Sequence, residues 1–335
     1  MKVILSLAAF LFFSHSLHAQ NIPLTFAERL GYPKGARVVI VHVDDVGMSF
    51  DSNEGAIHAM SKGIATSCSV MMPCPWVPAY VHYLKEHPTT DAGLHLTLTS
   101  EWDNYRWPPL SGKPAVPGLV DKEGAMWPEV EDVVAHASAD EVEKELRAQI
   151  ERARQMGFEP THMDSHMGTL FASPAFLQRY VKLAVEYHIP VMFPGGHNTL
   201  IAKEGDYSVA QLQALQPLAE QLWNAGLPVL DDIVSKTGWN LPQGTPETDA
   251  NLQQFKTKKY IETFAALQPG ITYLIMHCTQ PSGIFKYISA TGPERKGDML
   301  AMMDPALKKY VEQEHIILVT WRELMERRKK YQVQK

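Results

Sequence analysis

Cysteine is scarce: Cys68, Cys74 and Cys278 are the only three in 335 residues. Their spacing excludes a thiolate metal site, and an odd count permits at most one disulfide beside a free thiol. Buried small hydrophobes are the expected role for all three. An excess of positive charge is also missing. Thirty-one Lys and Arg against 37 Asp and Glu give a net charge of −6, with no basic stripe, so nucleic acid is excluded as a partner. Long hydrophobic runs are absent too. The longest, Val3 to Phe13, is too short to span a bilayer, and an integral membrane protein is not expected. No internal repeat, low-complexity tract or Gly-rich phosphate loop is found.

The short apolar run has another use. Lys2 supplies a positive n-region, Val3–Phe13 an h-region, and Leu17-His18-Ala19 a cleavage pattern before Gln20. Residues 1–19 read as a signal peptide, which directs the chain to the periplasm or outside the cell if the source is bacterial. No cysteine follows the run, so no lipoprotein acylation is expected. Residues 20–335 are expected to form a single domain.

Short β-rich runs recur at Val38–Val43, Ser67–Met72, Ala92–Leu98, Thr161–Ser165, Pro190–Phe193, Pro228–Leu230, Ile271–His277 and Ile316–Thr320. Helical patterns lie between them, at Ala139–Met156, Pro174–Tyr187, Ser208–Asn224, Asp249–Leu267, Asp298–Glu314 and Arg322–Tyr331. This alternation predicts an α/β fold of parallel strands. About eight βα units match a TIM-like (β/α) barrel, with a doubly wound sheet as the alternative. Ser100–Pro128 is too long for a routine connection and reads as a functional loop.

In either architecture, chemistry sits at the carboxyl ends of the strands. The first run ends in Asp44 and Asp45, two adjacent carboxylates whose repulsion a cation would relieve. "AGLHLTLT" carries His95, "PTHMDSHMG" carries His162, Asp164 and His166, and "ITYLIMHC" ends on His277. Asp and His converging from several strand ends suit a divalent transition metal. His162 and His166 would share one face of a helix. On a strand, however, they stand roughly 13 Å apart at ~3.3 Å per residue, too far to share an ion. Gly157 and Pro160 before the segment favour a strand. That selects Asp45, His95 and His166 as ligands of one divalent ion, with zinc the first expectation and magnesium, cobalt, manganese or nickel as alternatives. The plain structural alternatives are a buried core histidine at each position and a helix cap from Asp45 or Ser49.

Roles for the remaining groups follow. Asp44 is placed to act as general base on water at the metal, and His277 to protonate a leaving amine. Asp164 is placed to orient a ligand histidine, or else to make an ordinary strand-end hydrogen bond. The loop "SEWDNYRWPPLSGKP" offers Trp102, Tyr105, Arg106 and Trp107 as sugar contacts, the alternative being aromatics packed down on the barrel.

The motifs "HVDDVGMS", "GIATSCSVM", "GLHLTLT", "PTHMDSHMG" and "IILVTWREL" occur in this order across most of the chain. Together they resemble the YdjC-like family of carbohydrate deacetylases. The resemblance implies a distorted TIM-like barrel and metal-dependent removal of N-acetyl groups from sugars. It also implies metal ligation by Asp45, His95 and His166, with Asp44 as base. The chain departs from the family pattern where Met167-Gly168-Thr169 follows His166, where Cys278-Thr279-Gln280 follows His277, and where "VMFPGG" replaces a segment with arginine. The expected substrate is an acetylated oligosaccharide or glycan, N-acetyl before O-acetyl. A metal-dependent phosphoesterase and a non-catalytic carbohydrate-binding protein on the same scaffold remain as alternatives. The oligomeric state is left open.

Overall fold

A computed structural model describes residues 24–332; the signal-peptide expectation for residues 1–19 lies outside them. Seven strands, all paired in parallel, form the centre: β1 Arg37–Val46, β2 Ser67–Val70, β3 Ala92–Leu96, β4 Met163–Ser165, β5 Asp232–Val234, β6 Gly270–Met276 and β7 Ile317–Leu318. Their spatial order is β4-β3-β2-β1-β6-β5, and β7 pairs with Val38 and Val39 at the start of β1. Single parallel bridges Met163–Val191 and Pro194–Leu230 carry the pairing from β4 round to β5. The path therefore returns to β6 as a distorted barrel rather than eight equivalent units. Strands covered on both faces should read as near-continuous apolar runs, and β1 does so: Val38 to Val46 are all buried.

Helices cover the outside and begin where local chemistry dictates. Ser49 caps the helix Phe50–Lys62, its Oγ accepting from the Ser52 backbone N–H at 3.0 Å, so the helix cap falls to Ser49 and not Asp45. Ser138 and Glu141 form a capping box for Ala139–Gln155. Two expected helices are each divided. Ser208–Asn224 breaks at Leu215, where Pro217 opens a second helix, and Asp298–Glu314 breaks after Met302, where Asp304 caps the helix Pro305–Gln313. All three cysteines are free and buried. Among the described residues no helix is long and apolar enough to cross a membrane.

The barrel interior is built in layers. At the lower end the His162 ring stacks on Trp321, centroids 5.2 Å apart. It fills the space over Gly93, where a Cβ would come within 2.5 Å of the imidazole. Above it His42 stacks on Tyr273 at 4.6 Å. The top layer, at the carboxyl ends, holds Asp44, His95 and His166. Residues two apart on a strand share a face, which gives His42 and Asp44, and Gly93 and His95, their common direction; His166 follows the end of β4 at the start of the turn His166–Phe171.

Candidate active site

Adjacent strand residues normally point to opposite faces, yet Asp44 and Asp45 converge. Asp45 lies in the left-handed region at φ 62°, and the β1–β2 register shifts between Val43 and Val46. This irregularity swings the second carboxylate back over the barrel mouth. Bulges and left-handed non-glycine residues cost energy and recur beside functional sites.

Three ligand atoms then form a near-equilateral triangle. His95 Nε2 lies 3.3 Å from Asp45 Oδ1, His166 Nδ1 lies 3.4 Å from the same oxygen, and the two ring nitrogens are 3.2 Å apart. The hydrogen bonds behind them fix which atoms carry protons. Asp164 Oδ1 is 2.6 Å from His95 Nδ1, and Glu101 Oε2 is 3.1 Å from His166 Nε2. A carboxylate can only accept, so each of those nitrogens is the donor. In neutral rings His95 Nε2 and His166 Nδ1 are left as lone pairs facing each other, and Asp45 Oδ1 is buried with no donor. A positive charge, an extra proton or a cation, would satisfy all three atoms at once. Ligands at 2.0–2.2 Å from a tetrahedral zinc would be separated by about 3.4 Å, so the residues present fit a small divalent ion.

Electrostatics agree. Burial opposes ionisation of Asp45, but Arg295, whose Nη1 donates to Oδ2 at 2.6 Å, and the two imidazoles hold its carboxyl well below the usual range. Burial opposes charging of His95, but Asp44 and Asp164 outweigh it and raise its pKa well above normal. His166 is likewise raised against burial to about 9, by Glu101 and Asp45. The surroundings are oversupplied with negative charge, and a bound cation would take the place of these protons.

Asp44 has different neighbours. His42 Nε2 is 3.1 Å from its Oδ1 and 3.0 Å from Asp164 Oδ2, and the Ser69 hydroxyl reaches Asp44 Oδ1 at 3.4 Å. Tyr273 donates to Asp164 Oδ2 at 2.8 Å. Asp164 thus orients His95 and is itself held by His42 and Tyr273. Two further His/Asp groupings, His42–His162–Asp164 and Asp44–His95–Asp164, share these committed atoms and give no independent second site. His277 stands with Nε2 3.9 Å from Asp45 Oδ2, its side chain 30% exposed. Burial, then Arg295, lowers its pKa.

The aromatic loop divides. Trp102 is partly exposed, its ring 5.9 Å from the Arg295 guanidinium at the site. Trp107, expected against substrate, is only 2% exposed and its indole N–H donates to Thr99 O. It is a core anchor whose faces no sugar can reach. Arg106 is spent inside the loop on Asp121, Glu123 and the Met126 carbonyl, which corrects its expected substrate role. The Tyr105 hydroxyl donates to Met48 O at 2.6 Å, tying the loop to the end of β1. Glu101, Arg295 and His42 were not anticipated from sequence. Of these only His42 left a signal there, the alternation His42-Val43-Asp44.

The chain is similar to a carbohydrate deacetylase of Thermus thermophilus, 30% identical over 299 residues that cover 89% of this chain and 97% of that protein. It is also similar to a carbohydrate deacetylase of Brevibacillus brevis, 38% identical over 159 residues that cover 47% of this chain and 59% of the other. A solved structure from Enterococcus faecalis, described as a candidate cellobiose-phosphate cleavage protein, shares the fold. Its TM-score is 0.67 at 20% identity, covering 86% of this chain and 99% of that one. Residues 38–313 match the family described as YdjC-like protein, and the chain belongs to that family.

Proposed function

We propose that this protein is a metal-dependent carbohydrate deacetylase that hydrolyses an acetyl group, N-acetyl in the first place, from a saccharide. The observation that carries the reading is the triangle of Asp45 Oδ1, His95 Nε2 and His166 Nδ1 beside the carboxylate of Asp44. Support also comes from relatives named carbohydrate deacetylase, one matched over nearly its whole length.

Asp45, His95 and His166 would hold one divalent ion, which when bound supplies Lewis-acid polarisation of a carbonyl and a more acidic water. Asp44 takes a proton from the attacking water, held in place by His42 and Ser69. Asp164 and Glu101 keep the far protons on His95 and His166, so the near lone pairs stay available. His277 delivers a proton to the departing amine as the C–N bond breaks. Trp102, partly open and beside Arg295, is the sugar contact. The test is acetate release from N-acetylated oligosaccharides before chelation, after chelation and after return of a divalent ion. Release that stops with chelator and recovers with the ion is expected; release indifferent to chelation overturns the metal requirement.

A further inference from the structure

Asp44 and His277 form one end of a cavity of about 260 Å³ that runs away from the ligand triangle. Its walls come from Phe171 after β4, Met192 on the bridging segment, Ile201, Leu212 and Leu215 on the helices of residues 199–224, and Ile233 on β5. Neither Trp102 nor any other residue of the loop 100–128 contributes to it.

Most polar atoms along its walls are already committed. Ser165 Oγ accepts from the Leu170 N–H at 3.0 Å, Ser235 donates to Glu204, and Asp206 pairs with Lys236 at 2.7 Å. The Tyr207 hydroxyl, 3.8 Å from where a Cβ on Gly168 would stand, has no side-chain partner among the described residues. A pyranose pressed against the Phe171, Met192, Ile201, Leu212, Leu215 and Ile233 side of the cavity would bury hydroxyls on apolar wall, which is costly. An alkyl chain meets no such penalty. An acetyl methyl would fill only a small part of this space.

We infer that the cavity walled by Phe171, Met192, Ile201, Leu212, Leu215 and Ile233 is an acyl-chain pocket, and that beyond acetyl the protein takes saccharides carrying longer N-acyl chains. The inference rests on the proposed hydrolase reading. The sugar leaves the site on the Trp102 side, and the chain lies in the cavity with its carbonyl between Asp44 and His277. The balance is that of amide hydrolysis. Water adds its oxygen to the carbonyl carbon, the C–N bond breaks, the amine departs with a proton, and the chain leaves as the free carboxylic acid.

The test uses glucosamine carrying N-acetyl, N-butanoyl, N-hexanoyl and N-octanoyl groups. Acid release by the full, metal-loaded protein gives kcat/KM. Titration calorimetry on the metal-loaded Asp44→Asn variant, in which the ligand survives, gives affinity. Each buried methylene should improve both by about three- to fourfold until the cavity is full. Leu212→Trp, which fills the cavity far from the reacting atoms, should remove the gain for hexanoyl and octanoyl. Affinity that does not rise with length, including no binding of the octanoyl compound, overturns the inference. The two readings separate cleanly. Tighter binding of long chains with no acid released keeps the pocket and sinks the hydrolase, while acetate release without any gain from length does the reverse.

Discussion

Asp44 and Asp45 share a residue type and both face His95 Nε2, at 3.7 and 3.3 Å, but their other partners differ. Asp45 offers Oδ1 to two imidazole nitrogens while Arg295 holds Oδ2, and Asp44 is held by His42 and Ser69. The two positions should therefore respond differently to the same change. Asp44→Asn should keep the ion and lose about 10²–10⁴-fold in kcat, the usual contribution of a general base. Asp45→Asn should weaken the ion instead, with partial recovery in excess metal; kinetics across a metal titration separate the two, and rescue of Asp44→Asn by metal would reverse the assignment. Trp102→Ala should chiefly raise KM, since a stacked ring binds substrate and transition state alike; a loss in kcat alone, KM unchanged, would remove Trp102 from the sugar. What sequence disclosed at this scale was set by strand ends. Asp44, Asp45, His95 and His166 were legible because each closes or adjoins a strand. Glu101 lies in an irregular loop and Arg295 on the helix Gly292–Met302, so no periodicity pointed either one at the site. Trp107 was misjudged because an aromatic in a loop reads the same whether it faces inward or out.

At the scale of elements, the irregularity in β1 is what turns two neighbours into one site, and no pattern of residue types announces it. The strands themselves were legible where the apolar run is long, as in β1 and β6. Pro190–Phe193 and Pro228–Leu230 make single bridges, and the three-residue β5 carries no apolar signal because Asp232 opens it directly after Asp231. Those aspartates serve packing. Asp231 accepts the backbone N–H groups of Phe26, Ala27 and Ile271, and Asp232 those of Leu200 and Ile201. Outside the barrel, Glu143 joins the helix Ala139–Gln155 to Pro174–Tyr187 through Arg179 and Lys182, and pairs along its own helix with Arg147. Burial opposes its ionisation, but Lys182 and Arg147 together outweigh it and bring its pKa from 4.5 down to about 2. A lowered folded-state value contributes stability above pH 4.5 that is lost as pH falls toward 2. Glu143→Gln should cost about 1 kcal/mol near pH 7. Urea unfolding should show that difference shrinking as the pH drops below 4.5; a difference that grows in acid would contradict the pairing.

For the whole molecule, the layered barrel explains why one HxxxH pair is not one metal site. His162 belongs to the lower layer, stacked on Trp321 and wedged over Gly93, whereas His166 emerges at the mouth beside His95. Parallel pairing of β3 with β4, His95 opposite Asp164, brings the pieces into register from positions far apart in the chain. The helices of residues 199–224 then wall the cavity beside Asp44, a feature that sequence left illegible because apolar residues on those helices look like ordinary core. The central claim is that Asp45, His95 and His166 hold one divalent ion. Elemental analysis of the intact protein after exposure to zinc and removal of excess tests it most directly. The account predicts one ion per chain in the native protein, close to one in a less stable His162→Ala variant, and none in His166→Ala. An ion lost in His162→Ala and retained in His166→Ala would contradict it.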